Sequence, residues 1–205
     1  MSIPRSATPD HPIQELLATR WSPYSFSDRP VSEEDLRSLF EAARWSASSY
    51  NEQPWRYIVA TKGDPDGFEK ILSCLVEGNQ AWAKFVPVLA IGCHSKTFAR
   101  NNKPNAAAEH DLGAASASLT LEATARGLFV HQMIGILPEK VRETYGVPDD
   151  YAPLTGIAIG YLGDPPDLDQ RYRDRDQAPR QRKPLTEIVF SGTWGRPSPI
   201  LGEES

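Results

Sequence analysis

Cysteine is almost missing: Cys74 and Cys93 are the only two in 205 residues, and neither sits in a CxxC or a His-rich setting. That speaks against a disulfide framework, and two free thiols in a reducing compartment is the plain reading. Long apolar runs are missing as well. The longest clean one, Val86 to Gly92 (VPVLAIG), falls far short of the roughly 20 residues that a bilayer crossing needs. The opening segment MSIPRSATPD holds no apolar stretch of the kind a secretory signal uses, so a soluble cytoplasmic protein is expected. A basic excess is lacking: 22 Lys and Arg against 27 Asp and Glu leave a net charge of −5, which argues against a nucleic-acid partner. There is no GxGxxG after a strand, no GxxxxGK[ST], no GxSxG and no HExxH, so Rossmann, P-loop, hydrolase-elbow and zincin readings lose support. His11, His94, His110 and His131 are scattered without metal-ligand spacing. Glu33, Glu34 and Asp35 cluster at a helix start, where the helix macrodipole accounts for them without acid–base chemistry.

What is present reads as helices and strands in mixed order. With 40% hydrophobic and 24% charged residues, the chain has the composition of an ordinary globular domain. Pro12 opens a first helix through IQELLATR. Ser32, with Asp35 three residues on, caps a second one whose stripe is Leu36, Leu39, Phe40 and Ala43. WRYIVA from Trp55, Val86 to Gly92 and Leu154 to Tyr161 read as strands, with LFVHQM a shorter one. Phe68 to Val76 is helical by pattern. The Ala- and Leu-rich stretch from about Asn105 to Arg126 reads as one long buried helix closed by Gly127, and Pro138 opens a brief helix that stops at Gly146. After Asp164 a Pro/Asp/Arg-rich tail reads as an extended arm rather than a separate folding unit. The fold class is therefore α+β, over a single domain of residues 1–205.

The chemistry-bearing groups suit a phosphorylated, amide-rich aromatic ligand. Arg20 and Ser22 lie where the first helix ends, and Arg180 and Arg182 stand two apart near the other terminus, on one side of an extended segment. Guanidinium groups bind phosphate bidentately and keep their charge at every relevant pH. Ser48, Ser49, Asn51 and Gln53 crowd a turn just ahead of a buried strand, and polar groups near a core need partners, in one another or in a ligand.

Arg20-Trp21-Ser22, then SASSYNEQPW, Asn79 within EGNQAWAKFVPVLAIG, a long helix running into ARGLFVHQMIG, IAIGYLGDP, and RQRKPLTEIV with a final TWG follow one another in order. From about residue 13 to residue 195 this sequence resembles the FMN-dependent nitroreductase family. The resemblance implies a mixed, mainly antiparallel sheet flanked by helices, and a homodimer holding two FMN groups at the subunit interface, with the arm from about residue 165 packed on the partner. It implies that Arg20, Trp21, Ser22, Arg180 and Arg182 bind the FMN phosphate and ribityl chain. Ala47, Ser48, Ser49 and Asn51 would line the flavin from the other subunit. Asn79 would touch the pyrimidine edge, and Ile134 and Gly135 would present backbone N–H groups near N5 and O4. Pro54 and Trp55 would pin the turn to the core.

Two positions depart from the family pattern. Tyr24 stands where many members carry Lys or Arg beside N1 and O2 of the flavin, and tyrosine offers only a neutral hydrogen bond there. Trp82 stands where some relatives keep a second lysine. The activity implied is ping-pong, two-electron transfer from NAD(P)H to a small electron-poor acceptor such as a nitroaromatic, quinone or enone, with no side-chain acid or base required. The rivals are a divergent chemistry on the same fold (dehalogenation, dehydrogenation or flavin cleavage) and a non-catalytic flavin-binding protein. His94 to Asn105 (HSKTFARNNKPN) reads as a lid or rim, with Phe98 a candidate stacking residue, or as a solvated loop.

Overall fold

The computed structural model describes residues 6–202; the first five residues of the opening segment and residues 203–205 lie outside it. A short helix, α1 (Glu15–Thr19), starts three residues later than Pro12 implied. Gln14 at its cap is extended and gives no side-chain bond, so nothing polar nucleates a turn earlier. Helix α2 (Glu33–Arg44) starts as read: Ser32 Oγ accepts the Asp35 N–H at 3.0 Å and donates to Asp35 Oδ2 at 2.7 Å. Strand β1 (Trp55–Thr61), helices α3 (Pro65–Ser73) and α4 (Glu77–Ala83) and strand β2 (Val88–Ser95) follow. Then come the long α5 (Ala108–Ala125), β3 (Phe129–Met133), α6 (Pro138–Tyr145), β4 (Tyr151–Gly160) and α7 (Gln170–Gln177).

The four strands form one antiparallel sheet in the order β1-β2-β4-β3. Strand β2 is buried over seven successive residues because both faces are covered, which is why its sequence is a continuous apolar run rather than an alternation. Its side chains still alternate. Val88 and Ala90 join the core under α2 and α5, with Leu39, Leu112, Leu119 and Ile157. Leu89 and Ile91 join the opposite core, with Phe68, Ile71, Trp82 and Ala158. Helix α5 crosses the first face, and Gly127 beyond its end has φ 71°, the left-handed value that ends a helix without a Cβ penalty.

Helix α3 lies three residues earlier than Phe68 to Val76 implied, and two further elements depart from the sequence reading. Helix α4 went unread because Gly78 and Asn79 are poor helix formers; tertiary bonds hold it, Gln80 Nε2 donating to Leu75 O at 2.7 Å. The tail after Asp164 is not extended throughout. It contains α7, which Asp169 caps and which docks through buried Leu168 and Tyr172.

The chain's first segment lies along the continuation of β4: Ser27 N donates to Tyr161 O at 2.9 Å and Gly163 N to Ser25 O at 3.2 Å. A Cβ on Gly163 would stand 2.4 Å from Ser27 N and 2.5 Å from its Cα, a clash with backbone that cannot swing aside. Gly163→Ala is expected to destabilise the fold by about 1–3 kcal/mol, the usual cost of overpacking. Urea unfolding of the two proteins checks it; equal midpoints would show that the segments are free to part.

Candidate functional site

The arginines from the two ends of the chain meet. Arg20 follows α1 and its Nη1 lies 3.3 Å from Ser22 Oγ. Arg180 reaches back to the same turn, donating from Nη1 to Ala18 O at 2.6 Å and from Nη2 to Arg20 O at 2.8 Å. The Arg20 guanidinium is held below its ordinary value, first by burial and then by the charges of Arg180 and Arg182. Three cations this close repel one another, and an anion among them would relieve that. They stand between two grooves. One, of ≈ 290 Å³, is lined by Arg20, Ser22, Tyr24, Arg175, Arg180 and Arg182 among others; a second, of ≈ 650 Å³, opens towards His11 and Lys183. Arg180 spends at least two donors on backbone carbonyls, so it fastens the arm as well as adding charge. Arg182 is exposed, and its Nη1 donates to the neighbouring Gln181 O at 2.7 Å.

The same edge of the sheet carries an aromatic group. Tyr24 packs edge-on to Trp82 at 5.2 Å between centroids and lies 4.7 Å from His131 and 5.2 Å from Tyr172. Trp82 is fully buried, so at that position the chain places core, not a surface group. The Asp176 carboxylate accepts from Tyr24 N at 2.9 Å and from Ser25 N at 2.8 Å, and Tyr172 Oη donates to Gly78 O at 2.7 Å. Next along α4, Asn79 Nδ2 donates to Gly135 O at 2.9 Å. A Cβ at Gly135 would meet Asn79 Nδ2 at 2.5 Å, so glycine is what lets α4 close on this turn. Ile134 beside it is 80% exposed, and its carbonyl is taken by Ile136 N at 2.8 Å. Trp21 packs edge-on to Phe129 at 6.0 Å.

The hydroxyl-rich turn is elsewhere, ahead of β1. Ser49 N donates to Asp111 Oδ2 at 3.0 Å, Gln53 N to Ser48 Oγ at 3.0 Å, and Ser46 Oγ lies 2.6 Å from Ser118 Oγ. Tyr50, Asn51 and Gln53 all hold left-handed backbone, with φ of 55°, 56° and 51°. Three such non-glycine residues in four is strain that the surroundings must hold in place. Ala47 and Asn51 are exposed, whereas Pro54 and Trp55 are buried. The His94–Asn105 segment packs on this turn: Ala99 N donates to Glu52 Oε1 at 2.7 Å, Phe98 meets the Tyr50 ring edge-on at 5.8 Å, and the Arg100 guanidinium lies 3.9 Å from the Tyr50 centroid.

The thirteen residues expected to line a flavin therefore fall into two groups within one chain. Arg20, Trp21, Ser22, Tyr24, Asn79, Ile134, Gly135, Arg180 and Arg182 gather at the β3 edge, and Ala47, Ser48, Ser49 and Asn51 stand at the β1 edge. Three strand spacings, about 14 Å, separate the edges. Among the described residues no three His, Cys, Asp or Glu side chains could hold a metal ion, and no helix is long and apolar enough to cross a membrane.

The sequence pattern of the Nitroreductase family matches residues 17–161. The chain belongs to the nitroreductase family. An uncharacterised 15.4 kDa protein in the ask 5′ region of Mycolicibacterium smegmatis is 35% identical over 149 residues, 69% of this chain and 99% of that protein. A Methanothermobacter thermautotrophicus protein with the provisional name NADH dehydrogenase/NAD(P)H nitroreductase is 28% identical over 75% of this chain and 79% of its own length. A solved oxidoreductase containing FMN superposes with a TM-score of 0.86 at 33% identity, covering 94% of this chain and 98% of the other.

Sequence reasoning missed what frames this candidate site of the nitroreductase chain: Tyr172, Arg175 and Asp176 on α7, and His131 on β3. The signal for α7 was faint, Asp169 as a cap and Tyr172 as the apolar anchor in a charged run. His131 donates from Nδ1 to Pro23 O at 2.8 Å, since a carbonyl can only accept. Burial pushes His131 below its ordinary 6.5, against the weaker upward pull of the Pro23 bond and the Asp176 charge. The fold thus favours the neutral ring. The stability His131 contributes is complete above about pH 6.5 and drains away as the pH falls through its folded value. His131→Gln is expected to flatten the fall in unfolding midpoint between pH 6.5 and 5, read by urea titration; an unchanged slope would contradict it.

Proposed function

We propose that this chain is an FMN-dependent NAD(P)H oxidoreductase that reduces a small electron-poor acceptor by a ping-pong route, as a cytoplasmic homodimer whose residues 1–205 form one flavin-binding domain. The convergence of Arg20, Arg180 and Arg182 carries the reading, because mutually repelling guanidinium groups at a groove mouth fit a phosphate monoester. The FMN-containing relative and the NAD(P)H nitroreductase name among the similar proteins point the same way.

FMN, when bound, supplies the two-electron chemistry between NAD(P)H and the acceptor. The chain's part is to bind and orient. Arg20, Arg182 and the outward donors of Ser22 take the phosphate and ribityl chain, and Arg180 holds the turn on which Arg20 sits. Asn79 and the Gly135 turn, fixed to each other at 2.9 Å, offer a rigid polar edge to the ring system. The turn at Ala47, Ser48, Ser49 and Asn51 serves the flavin of a second copy, because the sheet's width keeps it from the β3 edge of its own chain. Exposed apolar residues fit such pairing: Leu17, Tyr50 and Ile134 beside the two half-sites, and Ile188, Trp194 and Ile200 on the arm that would pack on the partner.

Anaerobic mixing of the purified yellow protein with NADH or with NADPH is expected to bleach the flavin absorbance; bleaching by neither overturns the proposal. Arg182→Ala is expected to weaken FMN binding roughly 10- to 150-fold by removing a charge-assisted phosphate contact. Fluorescence titration checks it, together with gel filtration, in which a monomer that retains FMN would contradict the shared site.

A further inference from the structure

Tyr24 gives the groove a neutral phenol where charge would be useful. Oxidised FMN has a neutral ring system, whereas reduced FMN is an anion at neutral pH with its charge on the pyrimidine half. A cation placed there favours the reduced form. Helix α7 brings one. The Arg175 guanidinium carbon stands 5.6 Å from the Tyr24 ring centroid and 5.8 Å from that of Tyr172, and Arg175 lines the same groove as Arg20, Ser22 and Tyr24.

Its placement is fixed from both sides. Asp176, the next residue, grips the Tyr24 and Ser25 amides. One turn earlier, Tyr172 bonds the carbonyl of Gly78, the neighbour of Asn79. Arg175 is therefore carried between the Tyr24 segment and the start of α4, while Arg20, Arg180 and Arg182 form their own mutually repelling group in the lining of the same groove. The other charges on α7 have partners. Arg171 pairs with Asp169 at 3.4 Å and donates to Tyr172 Oη, Asp174 accepts from Gln170 Nε2, and Asp176 is taken by the two amides. Arg175 makes no ion pair among the described residues.

We propose that Arg175 supplies the positive charge to the pyrimidine half of reduced FMN that Tyr24 cannot give. The inference rests on the FMN reading above and adds a cofactor-binding residue, from the arm, that tunes the cofactor's potential. Tyr24 then acts as the platform on which the guanidinium lies, an arrangement that suits arginine's planar, weakly hydrated head.

The test compares full-length wild type, Arg175→Gln and Arg175→Lys. Each is titrated with oxidised FMN and with riboflavin, and the midpoint potential of the bound FMN is measured by dye equilibration. Potential and oxidised-state affinity together give the affinity for reduced FMN. Arg175→Gln is expected to bind oxidised FMN almost as wild type does, to bind reduced FMN roughly tenfold or more weakly, and so to shift the potential to more negative values. Arg175→Lys should recover most of that shift, because it keeps the charge. Equal losses in both redox states would overturn the proposal: loss with FMN but not riboflavin assigns Arg175 to the phosphate, and loss with both assigns it to packing. An unchanged potential overturns it too. A wild-type protein that takes up no FMN would instead sink the FMN reading, and this inference with it.

Discussion

The groove exists because the two ends of the chain are tied together. Asp176 accepts from the amides of Tyr24 and Ser25 across 152 and 151 residues of sequence, and Arg180 donates to the carbonyls of Ala18 and Arg20 across 162 and 160. Each tie joins an ionised side chain to backbone groups in the same short segment, one taking its N–H donors and the other its carbonyls. Charge-assisted bonds of this kind are worth about 1.5–3 kcal/mol each, enough to set where a charged arm lies when few apolar contacts hold it. Without them Arg182 would lose what sets it near Arg20, and α7 would be held at Tyr24 by the packing and single hydrogen bond of Tyr172 alone.

The sheet imposes the second constraint. Its order puts β1 and β3 on opposite edges, so the strands that carry the strained turn and the Gly135 turn are three strand spacings apart. Helix α5 makes the separation rigid. It binds the turn through Asp111 and Ser118, and it binds β3 through Gln132 Nε2, which donates to Ser116 O and Thr120 Oγ1. A rigid body with one polar cluster at each edge suits the two-fold dimer proposed above.

Much of this was legible in the sequence where the signal is local. The Ser32 cap, the Gly127 and Gly146 stops, the apolar β2 run and the α2 stripe each state their conformation within a few residues. The pairing of Arg20 with Arg180 and Arg182 was legible through the family resemblance alone, since no local pattern links residues so far apart. Helices α4 and α7 were illegible because tertiary bonds, not propensity, hold them: Asn79 to Gly135 in one, Tyr172 to Gly78 and Asp176 to Tyr24 in the other. The backbone strain at Tyr50, Asn51 and Gln53 was hidden for a similar reason, because Asp111 and Glu52 are what anchor that stretch.

The electrostatics of the β3 edge follow from which groups burial permits to stay charged. His131 touches Tyr24 and could in principle supply a cation, but burial favours its neutral form, against the weaker upward pull of its bond to the Pro23 carbonyl. Trp82, fully enclosed beneath both rings, adds none. Positive charge must then come from guanidinium groups at the rim, which remain hydrated enough to stay ionised and keep their proton at any physiological pH. What packs behind Tyr24 is thus buried and aromatic, while the groove itself is lined by guanidinium groups whose charge is insensitive to pH. That division lets the aromatic side pack as core while the arginines deal with anions, and it ties the charge of the site to the arm that the chain's two ends hold in place.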